Sequence, residues 1–367
     1  MHLYVHVPFC ARRCSYCDFA IAVRKTIPSR RYAEVVIAEW GRWLAAPWWA
    51  DQGPIETIYF GGGTPSLLDP AAIGSILDAV RADRSITGVA EITIEANPED
   101  VSTERAAAWA AHGVNRVSLG VQSFSPAVLE WMHRSHGPDR PAAAIATLRE
   151  AGIPNVSIDL IYAVPRALRR SWREDLARGL ALEPAHLSLY GLTVEARTPL
   201  GRWVARGDTV PTDEAPAAEE YLEAHETLTG AGYRHYEVSN AGKPGFESRH
   251  NRAYWRRAGY LGLGPSAHSA EGRRRWWNVR DWEGYRRAVD AGHGVADEET
   301  LDDRQIRLEE RYLGLRTTEG LPASSLPLAV LEQWVSAGWA RRDGSQIVLT
   351  VEGWLRLDTL VSQVDEA

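Results

Sequence analysis

The amino-acid sequence predicts an α/β fold, a partial (β/α)6 TIM-like barrel followed by a C-terminal, mostly helical, winged-helix-like domain. Short apolar runs alternate with longer helical stretches through roughly the first two hundred residues, which is typical of parallel strands joined by helical crossovers. Polar and glycine-rich motifs directly follow those runs, where (β/α) barrels carry their sites. The alternation stops after about Thr193, so a different arrangement is expected beyond it.

The predicted barrel consists of strands and crossover helices in regular alternation. The strands, rich in β-branched and apolar residues, are Leu3–Val7, Glu56–Phe60, Glu91–Glu95, Asn115–Leu119, Asn155–Ile161 and His186–Tyr190. The helices, with apolar residues at helical spacing, are Arg31–Leu44, Pro70–Ala82, Thr103–Ala111, Pro141–Ala151 and Trp172–Ala181. This order favours a parallel sheet whose C-terminal edge carries the site.

The remainder of the chain is less regular in sequence. The segment VEARTPLGRWVARGD is expected to be extended, and a helix is expected over Glu214–Gly230. A helix from about Asp302, a further helix, two short strands around Asp343-Gly344 and a last helix predict the winged-helix-like end. The expected domains are residues 1–235 for the barrel, 236–300 for an aromatic-rich connecting region and 301–367 for the C-terminal domain.

The composition is ordinary for a soluble protein. The hydrophobic fraction is 45%, the charged fraction is 24% and the net charge is −7, so nonspecific attraction to nucleic acid is not expected. No run of about 18 apolar residues predicts a membrane span, and no secretory signal precedes the cysteines. The cytoplasm is therefore the expected compartment.

The three cysteines of the chain fall within one short segment, VPFCARRCSYCDF. The C-x3-C-x2-C spacing of Cys10, Cys14 and Cys17 offers three thiolates and leaves a bound metal with an open coordination position, as in reactive metal sites. A zinc site with His6 as fourth ligand is an alternative, although zinc ligands usually come in separated pairs. Because Asp18 follows the last cysteine, c-type haem attachment is excluded. The triplet favours an iron–sulfur cluster over zinc.

A run of glycines follows the second predicted strand, in YFGGGTPSLL. Gly61, Gly62 and Gly63 permit close approach of the backbone and present N–H groups to a ligand. A P-loop is excluded because no Gly-Lys-Ser/Thr follows. Taken alone, the motif is also compatible with a tight strand-to-helix connection.

The cysteine triplet, with Tyr16 before its last cysteine, and the glycine run resemble the radical S-adenosylmethionine (SAM) superfamily. The resemblance implies that the three cysteines hold three irons of a [4Fe–4S] cluster and that SAM chelates the fourth. In that superfamily, reduction of the cluster cleaves the sulfonium to methionine and a 5′-deoxyadenosyl radical. The glycine run is similar to the loop that receives the methionyl amino group.

Polar residues at further strand ends resemble, by order and spacing, the coproporphyrinogen oxidase-like branch of this superfamily. The resemblance covers Tyr4 to about residue 360 and implies that Tyr4, Gly62 and Glu95 contact the cluster-bound cofactor. It also implies a second set, contacting a second cofactor molecule where one is bound: Gly63, Thr64, Gln122, Arg134 and Asp159. Two positions depart from the branch, since His133 replaces a usual glycine and Ala163–Arg166 replaces Gly-Leu-Pro-Gly.

Two functions compete within this branch. Oxygen-independent coproporphyrinogen III oxidases convert porphyrinogen propionates to vinyl groups by radical oxidative decarboxylation, whereas HemW-type haem chaperones bind haem and deliver it to haem-requiring enzymes. The oxidase resemblance calls for a fourth cysteine where this chain has Phe19, and for an N-terminal extension where nine residues precede Cys10. The chaperone motif H-N-x-x-Y-W matches His250, Asn251, Tyr254 and Trp255.

His250 is the candidate haem ligand, because imidazole is a usual axial ligand of haem iron and the motif matches that of the chaperones. A histidine satisfied by hydrogen bonds within the fold is the alternative interpretation. His268 is a weaker candidate. Arg249, Arg252 and the Arg273–Arg275 run could meet haem propionates or form a solvated basic face.

The sequence therefore predicts a cytoplasmic, radical SAM-type haem chaperone in porphyrin metabolism, with a [4Fe–4S] cluster, SAM on its open iron and haem as cargo. Coproporphyrinogen III oxidase is the alternative, and a binding protein with a purely structural cluster is the third interpretation. Enzymatic activity is left open, and no catalytic residue is assigned. The expected partners are haem and haem-requiring respiratory or other enzymes; a homodimer and a transient contact with a membrane surface are further expectations.

Overall fold

A long open sheet is the framework of the molecule, and its central strands are parallel. The computed structural model describes residues 1–50 and 53–365. The strands are β1 (His2–Val7), β2 (Phe9–Cys10), β3 (Ala22–Val23), β4 (Ile55–Gly62), β5 (Ile86–Ala96), β6 (Arg116–Gln122), β7 (Asn155–Tyr162), β8 (His186–Gly191), β9 (Arg234–Glu237), β10 (Asn240–Gly242), β11 (Tyr260–Leu263), β12 (His268–Glu271), β13 (Arg274–Asn278), β14 (Val295–Thr300), β15 (Leu321–Pro322), β16 (Ala340–Asp343) and β17 (Gln346–Leu349).

The helices lie mostly between successive strands, as crossovers. They are α1 (Ser29–Leu44), α2 (Pro47–Ala50), α3 (Pro70–Asp83), α4 (Thr103–Ala111), α5 (Pro126–Trp131), α6 (Arg140–Glu150), α7 (Trp172–Ala181), α8 (Pro199–Arg206), α9 (Glu214–Gly230), α10 (Arg249–Trp255), α11 (Trp282–Asp290), α12 (Asp303–Leu315), α13 (Leu328–Ser336), α14 (Val351–Trp354) and α15 (Leu357–Asp365). Each of the predicted crossover helices is present, with ends shifted by two residues or fewer.

The sheet runs in the order β14-β13-β12-β11-β1-β4-β5-β6-β7-β8-β10-β9. Strands β11, β1 and β4 to β8 run parallel to one another. The pairings outside this group, from β11 to β14 on one side and from β8 to β9 on the other, are antiparallel. In the described residues no pairing joins β14 to β9, so the sheet is open and not a closed barrel. The predicted α/β class and its parallel strands are confirmed.

Side chains on the parallel strands alternate between an apolar and a polar face. On β4, Ile58 and Phe60 join the main hydrophobic cluster with the helices, whereas Thr57 and Tyr59 point to the opposite face. Registered neighbours on the other strands continue the polar face. This inner face carries His2, Tyr4, His6, Thr57, Tyr59, Glu91, Thr93, Glu95, Arg116, Ser118, Ser157, Asp159, His186 and Ser188.

One predicted conformation is wrong. The segment VEARTPLGRWVARGD contains helix α8, because its flanking residues are effective helix caps. The Thr198 side chain accepts a hydrogen bond from Gly201 N, Pro199 occupies the first turn, and Gly207 ends the helix with φ 75°. These local signals outweigh the extended character of the residues before them.

The C-terminal residues form a smaller unit with its own hydrophobic cluster around Trp334, Leu349 and Trp354. Its strands form a sheet in the order β15-β17-β16, and the hairpin lies between α13 and α14, in the predicted order of elements. Buried Glu237, at the end of β9, forms an ion pair with Arg316 that ties this unit to the main sheet (2.7 Å). Residues 236–300 contribute β10 to β14 to that sheet, and the domain boundaries stay a prediction.

Helix α1 is fastened to the sheet edge by a buried carboxylate. Glu39, 1% exposed, accepts hydrogen bonds from Gly264 N at 2.9 Å, Asn278 Nδ2 at 2.6 Å and the Tyr285 hydroxyl. Burial raises the pKa of this carboxyl. One side chain therefore joins α1 to β13, to α11 and to the turn after β11.

Replacing Glu39 by alanine is expected to lower the free energy of unfolding by about 3 kcal/mol, because it leaves several buried donors without an acceptor. Urea denaturation followed by circular dichroism measures the change. Glu34→Ala, on the exposed side of the same helix, is the matched control and should leave the unfolding midpoint unchanged. Equal midpoints for the two variants would show that Glu39 does not hold the helix in place.

Candidate cofactor site

A cavity of about 550 Å³ opens at the C-terminal ends of the parallel strands. All three cysteines line it. Seven of the eight residues predicted to contact the cofactor line it too: Gly62, Gly63, Thr64, Glu95, Gln122, Arg134 and Asp159. The carboxyl ends of parallel strands meet at one edge of a sheet, so residues that are distant in sequence are gathered there.

The cysteines lie in the loop that follows β1. Cys10 belongs to β2, which pairs with β3 and so closes the loop at its base. The Thr64 hydroxyl donates to Cys10 Sγ at 3.4 Å, and Arg134 Nη1 donates to Cys14 Sγ at 3.5 Å. Burial raises the pKa of Cys10 to about 11 and also raises that of Cys17. These two thiols are therefore protonated at neutral pH, and a metal must displace their protons to bind.

The surroundings of the thiols bear on which metal group they can hold. His6, the alternative zinc ligand, has both ring nitrogens engaged: Nδ1 with the Tyr4 hydroxyl and Nε2 with Ala20 O, each at 3.1 Å. In the described ranges, no group of three or more His, Cys, Asp or Glu side chains is gathered for a single metal ion. The irons of a [4Fe–4S] cluster each take a separate thiolate, and hydrogen-bond donors beside two of the sulfurs suit such a cluster.

Glu95 and Gly62 form one corner of the cavity. Glu95 accepts hydrogen bonds from Gly62 N at 3.0 Å and from the Tyr59 hydroxyl at 2.9 Å. Burial raises the pKa of Glu95 to about 7. Gly62 has φ 112°, and a Cβ there would lie 2.5 Å from the His6 ring, so only glycine fits. This corner is suited to a cationic group, which would stabilise the ionised carboxylate.

Arg134 and Asp159 place opposite charges in the same cavity. Arg134 Nη2 donates to Gly120 O at 2.8 Å and to Asn97 Oδ1. Asp159 accepts from the Ser118 hydroxyl at 3.1 Å, and burial raises its pKa. The pairing register shifts between Gly120 and Gln122 at the end of β6, and both residues line the cavity. A ligand with both positive and negative groups matches this pattern.

One predicted cofactor contact, Tyr4, does not line this cavity, and two residues that bond to its carboxylates were not predicted. Tyr4 lies on the inner face below it and packs against Tyr59 with ring centroids 6.1 Å apart. Tyr59 and Ser118, which hold the two carboxylates, were not predicted. They occur two residues before Gly61 and Gly120 on the same strands, so strict alternation along each strand was the signal that could have found them.

His250 lies at the opposite, N-terminal end of the inner face and is 1% exposed. Its Nδ1 bonds with the Thr57 hydroxyl at 2.7 Å and its Nε2 with the Tyr254 hydroxyl at 2.9 Å. Thr57 is five residues before Gly62, roughly 16 Å along an extended strand. An iron atom could bind His250 only after one of these bonds breaks, and its role as haem ligand stays a prediction.

The remaining candidates for haem contact are spread over the surface. The arginines of the Arg273–Arg275 run each pair with a carboxylate of β14 or α12. Arg249 lies 3.7 Å from the Glu56 carboxylate. His268 is exposed and stacks on Trp277, with ring centroids 5.6 Å apart. These residues do not converge with His250 on one site.

Comparison with known proteins identifies the family of this chain. Residues 4–179 match the radical SAM superfamily. The heme chaperone HemW of Mycobacterium tuberculosis H37Rv is 36% identical over 363 residues, which is 98% of this chain and 93% of the relative. The HemW of Escherichia coli K12 is 38% identical over 269 residues, covering 73% of this chain and 69% of the relative. The chain belongs to the HemW family of the radical SAM superfamily.

Two further comparisons extend this result. The mouse mitochondrial radical S-adenosyl methionine domain-containing protein 1 is 34% identical over 330 residues, covering 87% of this chain and 74% of the relative. The solved structure of the Escherichia coli radical SAM enzyme coproporphyrinogen III oxidase (HemN) superposes with a TM-score of 0.82 at 22% identity. It covers 99% of this chain and 89% of the oxidase, and this likeness shows a shared fold. Membership of the superfamily implies a [4Fe–4S] cluster and SAM.

Across residues 1–50 and 53–365, every helix is too short or too polar to cross a bilayer.

In the cofactor-free protein, Glu95 is expected to make stability depend on pH. Its pKa is about 7 in the folded chain and about 4.3 in an unfolded one. The stability that the protonated carboxyl contributes is therefore complete below about pH 4 and is lost as the pH rises through about 7. Glu95→Gln removes this titration, so it should gain on the order of 2 kcal/mol over the wild type between about pH 5 and about pH 8.

Chemical denaturation of the apoprotein at both pH values measures this gain. Glu130→Gln, on the exposed side of α5, is the matched control and should follow the wild type. A constant difference between Glu95→Gln and wild type at the two pH values would mean that Glu95 is already ionised in the folded chain.

Proposed function

We propose that this chain is a haem chaperone, which binds haem and delivers it to haem-dependent proteins with the help of a [4Fe–4S] cluster and SAM. The supporting observation is the cavity that gathers Cys10, Cys14 and Cys17 with the Glu95–Gly62 corner. Support also comes from relatives named heme chaperones that match nearly the whole chain. The expected recipients are haem-requiring enzymes.

Different residues of the cavity would bind the cluster and SAM. Cys10, Cys14 and Cys17 would ligate three irons, and Thr64 and Arg134 would stabilise the thiolates through the bonds they already make to sulfur. Glu95 would hold the amino group of SAM in the corner it forms with Gly62. The bound cluster and SAM together supply one-electron reductive chemistry.

The other predicted contacts fit the same proposal. Tyr4 would support the SAM site from below, through its packing on Tyr59. A second set would contact another SAM molecule where one binds: Gly63, Thr64, Gln122, Arg134 and Asp159. The cytoplasm, a homodimer and a transient membrane contact remain predictions.

Coproporphyrinogen oxidation is the second candidate function, and the structural likeness to the Escherichia coli oxidase favours it at the level of fold. Against it stands Phe19, which borders the cavity with 60% of its surface exposed. The oxidase resemblance calls for a thiol at this position. An exposed aromatic ring there cannot ligate a metal or transfer a proton, so the chaperone function is the better supported.

Anaerobically purified and reconstituted protein is expected to hold about four irons and four sulfides per chain, with a visible absorption band that disappears on reduction. Cys14→Ser should lose most of this iron, because the hydroxyl is a poor ligand. Arg13→Gln, on the exposed part of the same loop, is the matched control and should keep it. Metal analysis that finds zinc and no iron, before and after reconstitution, would overturn the cluster assignment.

Haem added to the protein is expected to bind stoichiometrically and shift its absorption maximum. Incubation with coproporphyrinogen III, SAM and reductant under anaerobic conditions should yield no protoporphyrinogen. Formation of that product at enzymatic turnover would replace the chaperone by the oxidase. His250→Ala tests the predicted iron ligand, and an unchanged affinity and spectrum would remove His250 from the haem site.

A further inference from the structure

A second cavity, of about 1160 Å³, lies away from the cofactor site. Helix α10, which carries the H-N-x-x-Y-W motif, contributes one wall, and helix α12 of the C-terminal unit contributes another. The end of α9, β9 and residues 317–322 complete it. The two cavities share no lining residue among the described part of the chain. This second cavity is called the cleft below.

The cleft is positively charged in a chain that is negative overall. Six arginines and three glutamates line it, whereas the whole chain has a net charge of −7. Glu319 is shared by Arg252 and Arg256, at 2.6 and 2.7 Å, so this group keeps one net positive charge. Arg257 is likewise paired, with Glu309 and Glu310 on α12. Arg234 pairs with Glu247 at 3.9 Å, so the other two surplus charges lie elsewhere in the lining.

Two arginines of α12 carry these two charges. In the described structure neither Arg307 nor Arg311 forms an ion pair, and Arg311 donates one hydrogen bond, to Val364 O at 3.1 Å. The two residues are four positions apart, so they lie on the same face of the helix, one turn from each other. Two guanidinium groups at this spacing can each receive one carboxylate of a ligand that carries two.

The opposite wall supplies a flat apolar surface. Trp255 lines the cleft one turn after Arg252 on α10, and the Arg316 guanidinium lies 4.0 Å from the centre of its ring. Its indole Nε1 is buried without a hydrogen-bond partner in the described structure. Leu321 and Tyr233 extend this surface. The cleft thus combines an apolar patch around Trp255 with two cations on α12 that have no ion-pair partner in the described structure.

We propose that the cleft is the site where this chaperone holds its porphyrin cargo, with the two propionates on Arg307 and Arg311 and the macrocycle against Trp255. The proposal rests on the proposed haem-chaperone function and names the place of the cargo. A haem is flat and apolar and carries two carboxylates along one edge, which matches both walls. The volume is ample for a ligand of this size, since small-molecule sites commonly span about 300–1,000 Å³.

This placement gives the H-N-x-x-Y-W motif two different tasks. His250 and Tyr254 bond with each other on the side of α10 that faces the inner face of the sheet. Trp255 belongs to the side that lines the cleft. The imidazole then positions the helix, and the indole contacts the cargo.

Haem titrations of four proteins test the proposal: wild type, Arg307→Gln/Arg311→Gln, Arg341→Gln/Arg342→Gln and His250→Ala. The Arg341→Gln/Arg342→Gln variant is the control. It also removes two positive charges, but from exposed β16, outside the cleft. Each protein is titrated with iron protoporphyrin IX and with its dimethyl ester at one ionic strength. Loss of two charge-assisted hydrogen bonds should weaken haem binding by about tenfold or more in the α12 variant, and the β16 control should bind as wild type.

The dimethyl ester lacks the two carboxylate charges, so comparing acid and ester in both proteins isolates the interaction between the carboxylates and the α12 arginines. The ester should bind wild type more weakly than the free acid does, and the α12 variant should bind acid and ester alike. Unchanged haem affinity in the α12 variant, or equal affinity of wild type for acid and ester, would overturn the cleft assignment while leaving the chaperone function intact. Because His250 positions α10, His250→Ala is expected to weaken the binding of acid and ester by the same factor. Loss of the preference for the free acid in this variant, with its fold retained by circular dichroism, would also overturn the assignment. A wild type that binds no haem would instead overturn the proposed function.

Discussion

The alternation of side chains along the parallel strands is the constraint on which the rest of the structure depends. One face of the sheet is apolar and packs against the helices, whereas the inner face is lined with hydroxyl, imidazole, carboxylate and guanidinium groups. Each strand therefore delivers polar groups to the inside and apolar groups to the outside with the same two-residue period. Because the strands are parallel, their C-terminal ends lie at one edge of the sheet, and the polar residues there line one cavity.

The cofactor cavity is electrostatically incomplete as the polypeptide alone builds it. Burial raises the pKa of Glu95, of Asp159 and of the Cys10 and Cys17 thiols. Each of these groups would be more stable with a positive charge beside it, and Arg134 supplies one that is already shared with Cys14 and Asn97. The protein is thus stabilised by whatever brings further positive charge into the cavity, as a metal cluster and a sulfonium cofactor do.

The sequence allowed the sheet, the cysteine loop and most of the cavity to be predicted, because each depends on local patterns. Strand periodicity located the C-terminal edge, and spacing identified Cys10, Cys14 and Cys17. Partners such as Tyr59 and Ser118 escaped prediction because a tyrosine or serine in a strand has many ordinary roles, and only the register between strands shows what it touches. The surroundings of His250 escaped as well, because a motif match does not say that Thr57, 193 positions away, bonds to the ring.

Helix α10 is seven residues long and contacts both the inner face of the sheet and the cleft. Its first N–H groups, at Arg249 and His250, donate to the Glu91 carboxylate on the inner face, each at 3.1 Å, and its last turn lines the cleft. A helix of two turns moves as a rigid body, so displacing Trp255 would also displace the imidazole that stacks on Tyr59, the residue that holds Glu95. Ligands in the two cavities would then change each other's affinity by one and the same factor, whereas an immobile α10 would leave the two affinities independent.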